Sequence, residues 1–152
     1  AIQGFVRREY GIAIGERTAE EIKVAIGSAW PTEEENRAEV RGRELMSGLP
    51  KTVILDPGEV RDAISEPVQT IVDSVVSCLG QAPPELAQDL IHEGITLVGG
   101  GAMLRGLDRR LADATDIPVR LVEAPLECVV LGAGHCIESY DVLKTMFMDA
   151  RS

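Results

Sequence analysis

Apolar residues recur along most of this chain at three- and four-residue steps, interrupted by a few short runs of consecutive β-branched and aliphatic side chains. The helical spacing is clearest from residue 60, where Val60, Ile64, Val68, Ile71, Val75 and Leu79 form one stripe. Asp56-Pro57-Gly58-Glu59 supplies its start, with Asp as N-cap, Pro at the first helical position and Glu at the third. Pro67 falls inside the stripe. Its ring removes the bond to the carbonyl of Ala63, so the pattern predicts a bend or break there and a seam between two lobes. Gly80 marks the end.

Other stretches are shorter. Residues 1–10 read as a helix ending near Gly11, followed by an apolar connector, Ile12-Ala13-Ile14-Gly15. Thr18-Ala19-Glu20-Glu21 fits a capping box, with Ile22, Ile26 and Ala29 on one helical face and Pro31 as the stop. On the other face Glu20 and Lys23 are neighbours, and taken alone they are a surface ion pair of small consequence. Thr32 to Arg37 reads as an acidic loop. Glu39-Val40-Arg41 and Thr52-Val53-Ile54-Leu55 read as strands of an antiparallel ribbon, joined by a turn over residues 45–50. Pro83-Pro84-Glu85 opens a helix carrying Leu86, Leu90 and Ile91, closed by Gly94. Beyond Pro125, Val129, Val130, Ala133 and Ile137 stand at core spacing in a last long helix, where Gly132 and Gly134 imply close backbone packing. Tyr140 to Met148 is amphipathic through Val142, Leu143, Met146 and Phe147, a segment suited to docking.

Ile95-Thr96-Leu97-Val98 runs straight into Gly99-Gly100-Gly101-Ala102-Met103. A helical pattern then opens through Leu104, Leu107, Leu111 and Ala114, and Pro118–Val122 is a candidate parallel strand after that crossover. Strand, glycine turn and helix in sequence bring bare backbone within reach of a ligand, because missing Cβ atoms allow close approach. A tight turn that binds nothing has the same pattern. Counting from Gly99, the sixth place is Leu104, so the dinucleotide fingerprint G-x-G-x-x-G is absent, and no Gly-Lys-Ser/Thr follows. The spacing therefore argues against cradling a pyrophosphate and leaves open a place beneath a base or sugar.

Composition narrows the classes. The 152 residues carry a formal charge of −10, without the clustered Lys and Arg that nucleic acid or an anionic lipid surface would attract. Aromatics are 3%, so the core must be built from Val, Ile, Leu and Ala. Cys78, Cys128 and Cys136 are widely spaced, which suggests reduced thiols serving as small buried hydrophobes in a cytoplasmic protein. His135 and Cys136 are adjacent and point differently on a helix, so no metal site is expected there. No run of about twenty apolar residues offers a membrane span. Ala1–Arg8 reads as the interior of an element, with no Met, so a fragment or a naturally shortened form of a larger fold is expected.

Four pieces in order carry a resemblance: residues 7–23 (Arg7-Arg8-Glu9-Tyr10-Gly11 through Glu20-Glu21-Ile22-Lys23), Val40-Arg41-Gly42-Arg43-Glu44-Leu45 with Gly48-Leu49-Pro50, Pro83–Leu86 with residues 94–108, and Pro125–Val129 with Gly132-Ala133-Gly134. Together they resemble the second half of the MreB/Mbl family of bacterial actin-like rod shape-determining proteins, over nearly the whole chain. The resemblance implies an α/β fold, the second lobe of the actin-like (ribonuclease H-like) ATPase fold, with an inner α/β subdomain and a small outer one. Residues 1–67 would be the outer subdomain, 68–138 the inner subdomain with its glycine loop, and 139–152 a C-terminal amphipathic segment. By position, Glu20 and Lys23 would contact adenine or ribose, Gly99, Gly100 and Gly101 would pass under the adenosine, and Met103 would lie beside the base.

The departures from the family matter as much. Its members hydrolyse ATP with Asp- and Gly-rich phosphate hairpins and acidic residues that place Mg²⁺, and no such hairpin occurs in residues 1–152. The resemblance therefore implies no catalytic residue and no metal ligand in this chain, and weak or absent binding of ATP or ADP by the chain alone. The implied work is filament assembly in cell shape and wall synthesis, with full-length MreB/Mbl subunits and the wall-synthesis machinery as partners. The family's membrane-inserting elements belong to the other half, so any membrane association would come through partners. The alternative is the nucleotide-binding lobe of a sugar- or acetate-kinase-like enzyme, which would not reproduce Ile14-Gly15-Glu16-Arg17-Thr18-Ala19-Glu20.

Overall fold

A computed structural model describes residues 1–33, 36–140 and 142–144. Helix α1 (Ile2–Tyr10) leads into strand β1 (Ile12–Ala13), helix α2 (Glu16–Ile26) and an antiparallel pair, β2 (Ala38–Glu44) and β3 (Pro50–Leu55). Helix α3 (Pro57–Gly80) is the longest element. It is followed by α4 (Pro84–Glu93), β4 (Ile95–Leu97), a 3₁₀ turn (Gly100–Met103), α5 (Leu107–Thr115), β5 (Val119–Leu121) and α6 (Cys128–Glu138).

The three strands β1-β2-β3 form one sheet, with Val40 opposite Val53 in the β2–β3 register. The predicted ribbon is therefore present, and a third strand joins it. Ile12 and Ala13, read from sequence as a connector, pair antiparallel with Glu44 and Arg43. Gly11, at φ 65, ends α1 and turns the chain so that Ile12 falls fully buried in the core. Two residues are too few for an alternating pattern to register. The second sheet is the expected parallel pair, β4 beside β5, with Ile95 opposite Val119.

Helix α2 begins earlier than its predicted capping box. Gly15 takes the N-cap position with extended backbone, and the Ala19 amide already donates to the Gly15 carbonyl at 3.1 Å. Thr18 is thus inside the helix and caps nothing. The helix closes at Gly27 rather than at Pro31, leaving Ala29 beyond it, while Ile22 and Ile26 are buried as expected. The Asp56 N-cap of α3 forms as read, and Glu59 completes a capping box: the Asp56 carboxylate accepts from the Glu59 amide at 3.0 Å, and the Glu59 carboxylate accepts from the Asp56 amide at 3.0 Å.

Helix α3 runs unbroken through Pro67, contrary to the expected break. Pro67 is exposed, while Val60 and Ile64 before it and Val68 and Val72 after it are buried along one stripe. A proline inside a helix costs about 3 kcal/mol, whereas each buried aliphatic side chain contributes about 1.5–3 kcal/mol. Packing on both flanks outweighs the ring. The buried side chains form one cluster that reaches from Ile2 and Val6 through α3 to Leu107 and Leu111.

Helix α6 departs from expectation. Val129, Val130 and Ile137 are 74%, 73% and 77% exposed, because no described element lies over their face. No described residue stands within 4 Å of a Cβ at Gly132 or Gly134, so the close packing inferred for them is not made by the described residues. The cysteines are not buried either: Cys78 is exposed, and Cys128 and Cys136 are half-buried. Of the amphipathic tail, Met146 and Phe147 lie outside the described residues.

Candidate functional site

The glycine run does not enter α5 directly. Gly99, at φ 83, turns the chain out of β4, and its amide donates to the carbonyl of Pro125 at 2.7 Å. Residues 100–103 then make the 3₁₀ turn, and α5 starts only at Leu107, so Leu104 sits in the connection. Between the two, Arg105 and Gly106 tie this loop to the segment after α2. The Ala29 amide donates to the Arg105 carbonyl at 2.7 Å, and Ser28 bridges Arg105 in parallel fashion. Gly106, at φ 72, lies so close to Trp30 that a Cβ there would stand 2.5 Å from the Trp30 Cβ.

The side chain of Arg105 reinforces the tie. Its Nη2 donates to the carbonyl of Val24 at 2.9 Å and also to that of Ala25. These are last-turn carbonyls of α2, which have no partner within their own helix, and a cation there is favoured by the helix dipole. The glycine loop and α2 are thereby held as two walls of one crevice.

That crevice, about 310 Å³, is lined by Glu20, Lys23 and Val24 from α2 and by Gly100, Gly101 and Met103 from the loop, with Leu104, Arg105 and Leu126 beside them. Lys23 Nζ pairs with Glu20 Oε2 at 2.8 Å, the lysine being the better covered of the two. An adjoining hollow of about 360 Å³ shares Glu20, Lys23, Gly101 and Leu104, and extends towards Gln3, Ile64 and Pro67. The structure thus brings five of the six sequence-predicted residues, Glu20, Lys23, Gly100, Gly101 and Met103, around one cleft. Gly99 does not line it and acts at the turn behind.

The arrangement suits a flat, hydroxyl-bearing ligand. Val24, Met103, Leu104 and Leu126 offer apolar contact, Gly100 and Gly101 expose main chain, and the Glu20–Lys23 pair offers an acceptor beside a donor. The lining contains no His, Cys, Ser or Asp, and its ionisable groups are Glu20, Lys23 and Arg105. No metal-ligating cluster occurs among the described residues, and none of their helices is long and apolar enough to cross a membrane.

Sequence reading missed Val24, Leu126 and Arg105. Leu126 comes in from the turn after β5, and a Cβ on Gly100 would stand 3.2 Å from it. Arg105 contacts α2 across some eighty residues of chain, and no local pattern signals such a contact.

Comparison with known proteins gives a consistent placement. A family model described as MreB/Mbl protein matches residues 1–145. The chain is 49% identical over 142 residues to the cell shape-determining protein MreB of Escherichia coli K12, covering 93% of this chain and 41% of that protein. It is 40% identical over 142 residues to the cell shape-determining protein Mbl of Bacillus subtilis 168, covering 93% and 43% respectively. The crystal structure of MreB5 of Spiroplasma citri bound to ADP superposes with a TM-score of 0.88 at 36% identity, over 91% of this chain and 42% of that one. The chain therefore spans about two-fifths of the length of the relatives it matches. Its fold is actin-like α/β, and by the family match and these identities the chain belongs to the MreB/Mbl protein family.

Proposed function

We propose that this chain is the second lobe of an actin-like cytoskeletal protein that serves cell shape and cell-wall synthesis by assembling into filaments, with ATP or ADP held between its lobes. In this reading residues 1–67 are the outer subdomain, 68–138 the inner one and 139–152 a C-terminal docking segment. The carrying observation is the single cleft where the Glu20–Lys23 pair faces Gly100, Gly101 and Met103. Glu20 and Lys23 take the edge of the adenosine, the loop passes beneath it, Met103 lies beside the base and Gly99 sets the turn.

The chain supplies only this adenosine shelf. Phosphate anchoring, through charge-assisted contacts that contribute much of nucleotide affinity, belongs to the rest of the fold, so the chain alone binds nucleotide weakly and does not hydrolyse ATP. The bare apolar face of α6 fits the same reading, since a stripe of this kind calls for a covering partner. The partners are full-length MreB/Mbl subunits in the cytoplasm and, through them, the wall-synthesis machinery at the membrane.

Co-sedimentation with full-length Escherichia coli MreB in the presence of ATP tests this. Pelleting of the chain with the filaments supports it. A chain that stays in the supernatant at every MreB concentration, or that turns over ATP by itself, contradicts it.

A further inference from the structure

A second hollow, about 280 Å³, lies away from the glycine loop, between the segment after α2, one face of α3 and the start of α5. Arg61, Ser65 and Gln69 repeat at four-residue steps on α3 and so share a face. Val68 and Ser28 are the buried members of its lining, and Arg110 enters from α5. Arg110 Nη2 donates to Gln69 Oε1 at 2.6 Å, which orients the guanidinium and leaves its remaining N–H groups available.

Two observations point the same way. Neither Arg61 nor Arg110 is in an ion pair among the described residues, although the chain as a whole carries an excess of carboxylates. Independently, Ser28 is 2% exposed and its Oγ has no hydrogen-bond partner among the described residues. Buried hydroxyls are rarely left so, and an orphan at a binding hollow points to a missing acceptor. Two guanidiniums and a hydroxyl without a partner give the hollow its donors, opposed by one exposed carboxylate, Glu66, while the Ser65 hydroxyl lines the wall with its proton already given to the Asp62 carbonyl at 2.7 Å.

We propose that the hollow formed by Ser28, Arg61, Ser65 and Arg110 binds a small oxyanion, the phosphate or carboxylate group of a soluble ligand. It is independent of the adenosine shelf, sharing none of Glu20, Lys23 or the glycine loop. Arginine forks match both groups bidentately. Glu66 works against the anion and sets how tightly it is held.

The test is titration of the isotopically labelled chain with inorganic phosphate in one arm and acetate in the other, at constant ionic strength. Amide shifts are expected to gather on Ser28, Ala29, Ser65 and Gln69, with the α2 residues Glu20–Val24 unmoved. Binding should weaken by about tenfold in Arg61→Gln and in Arg110→Gln, strengthen in Glu66→Gln and stay unchanged in Lys23→Met. Response to phosphate alone assigns a phosphate-bearing ligand, response to acetate alone a carboxylate-bearing one, and response to both an oxyanion site that admits either group. The wild-type shift map needs no variant to fold. Absence of shifts with either anion, or shifts spread over all basic surfaces and untouched by the Arg substitutions, overturns the proposal.

Discussion

Arg105 Nη2 donates to the carbonyl of Val24 at 2.9 Å, joining the glycine loop to the last turn of α2. The two walls of the cleft are thereby tied by a side chain that sits in its lining without belonging to either predicted half of the site. Arg105→Met keeps the aliphatic stem and deletes the donors, leaving the Val24 and Ala25 carbonyls without it. A loss of about 1–3 kcal/mol in stability is expected, read by urea denaturation, together with weaker adenosine binding. Unchanged stability and binding would show that the walls hold their spacing without it.

Substitutions at Glu20 and Lys23 should separate binding from folding. Their ion pair is solvent-facing, and such pairs contribute at most about 1 kcal/mol. Glu20→Gln and Lys23→Met should leave the melting temperature nearly unchanged while weakening adenosine binding about tenfold. Equal binding by wild type and both variants would leave the pair as an ordinary surface contact.

Gly106 is the most constrained glycine of the loop. Its φ of 72 and the 2.5 Å approach of a built Cβ to Trp30 Cβ leave no room for a side chain. Gly106→Ala should destabilise the chain by more than the roughly 1–3 kcal/mol of backbone strain alone, because Trp30 must also move. Gly101→Ala, with open space around its Cβ, is the control expected to fold normally. Similar melting temperatures for the two would contradict the packing described.

Tyr10 gives a pH signature. Its hydroxyl donates to Glu59 Oε1 at 2.5 Å, and this bond, with burial and the carboxylate's charge adding, pushes the phenol from 10.0 up to about 12. The folded value lies above the unfolded one, so the contribution is complete below about pH 10 and is lost as pH rises towards 12. Urea denaturation across that range should show wild type losing stability faster than Tyr10→Phe. Parallel curves would remove the bond from the account.

Much of this was legible in the chain because the signals were local. Asp56 and Glu59 lie within one turn of each other, the Val40 and Val53 strands flank a short turn, and the β4–glycine–β5 unit follows from runs of apolar residues. What escaped depended on distant partners. Pro67 reads as a break until the buried neighbours on each side are counted. Ile12 reads as a connector until Glu44 is placed beside it. Thr18 reads as a cap until Gly15 starts the helix a turn earlier. Of the residues lining the cleft, Glu20, Lys23, Gly100, Gly101 and Met103 were singled out from spacing and resemblance, while Arg105 and Leu126 required the fold itself. The helical spacing of Val129 and Ile137 correctly marked α6, yet spacing does not say whether a covering layer is present.

The most direct test of the proposed adenosine shelf is an amide-shift titration of the 152-residue chain with adenosine, a ligand without phosphate. Weak, saturable shifts confined to Glu20–Val24 and Gly99–Met103 are the expected result. No shift in these amides up to the solubility limit of adenosine, or shifts centred on another surface, would contradict the assignment of this cleft.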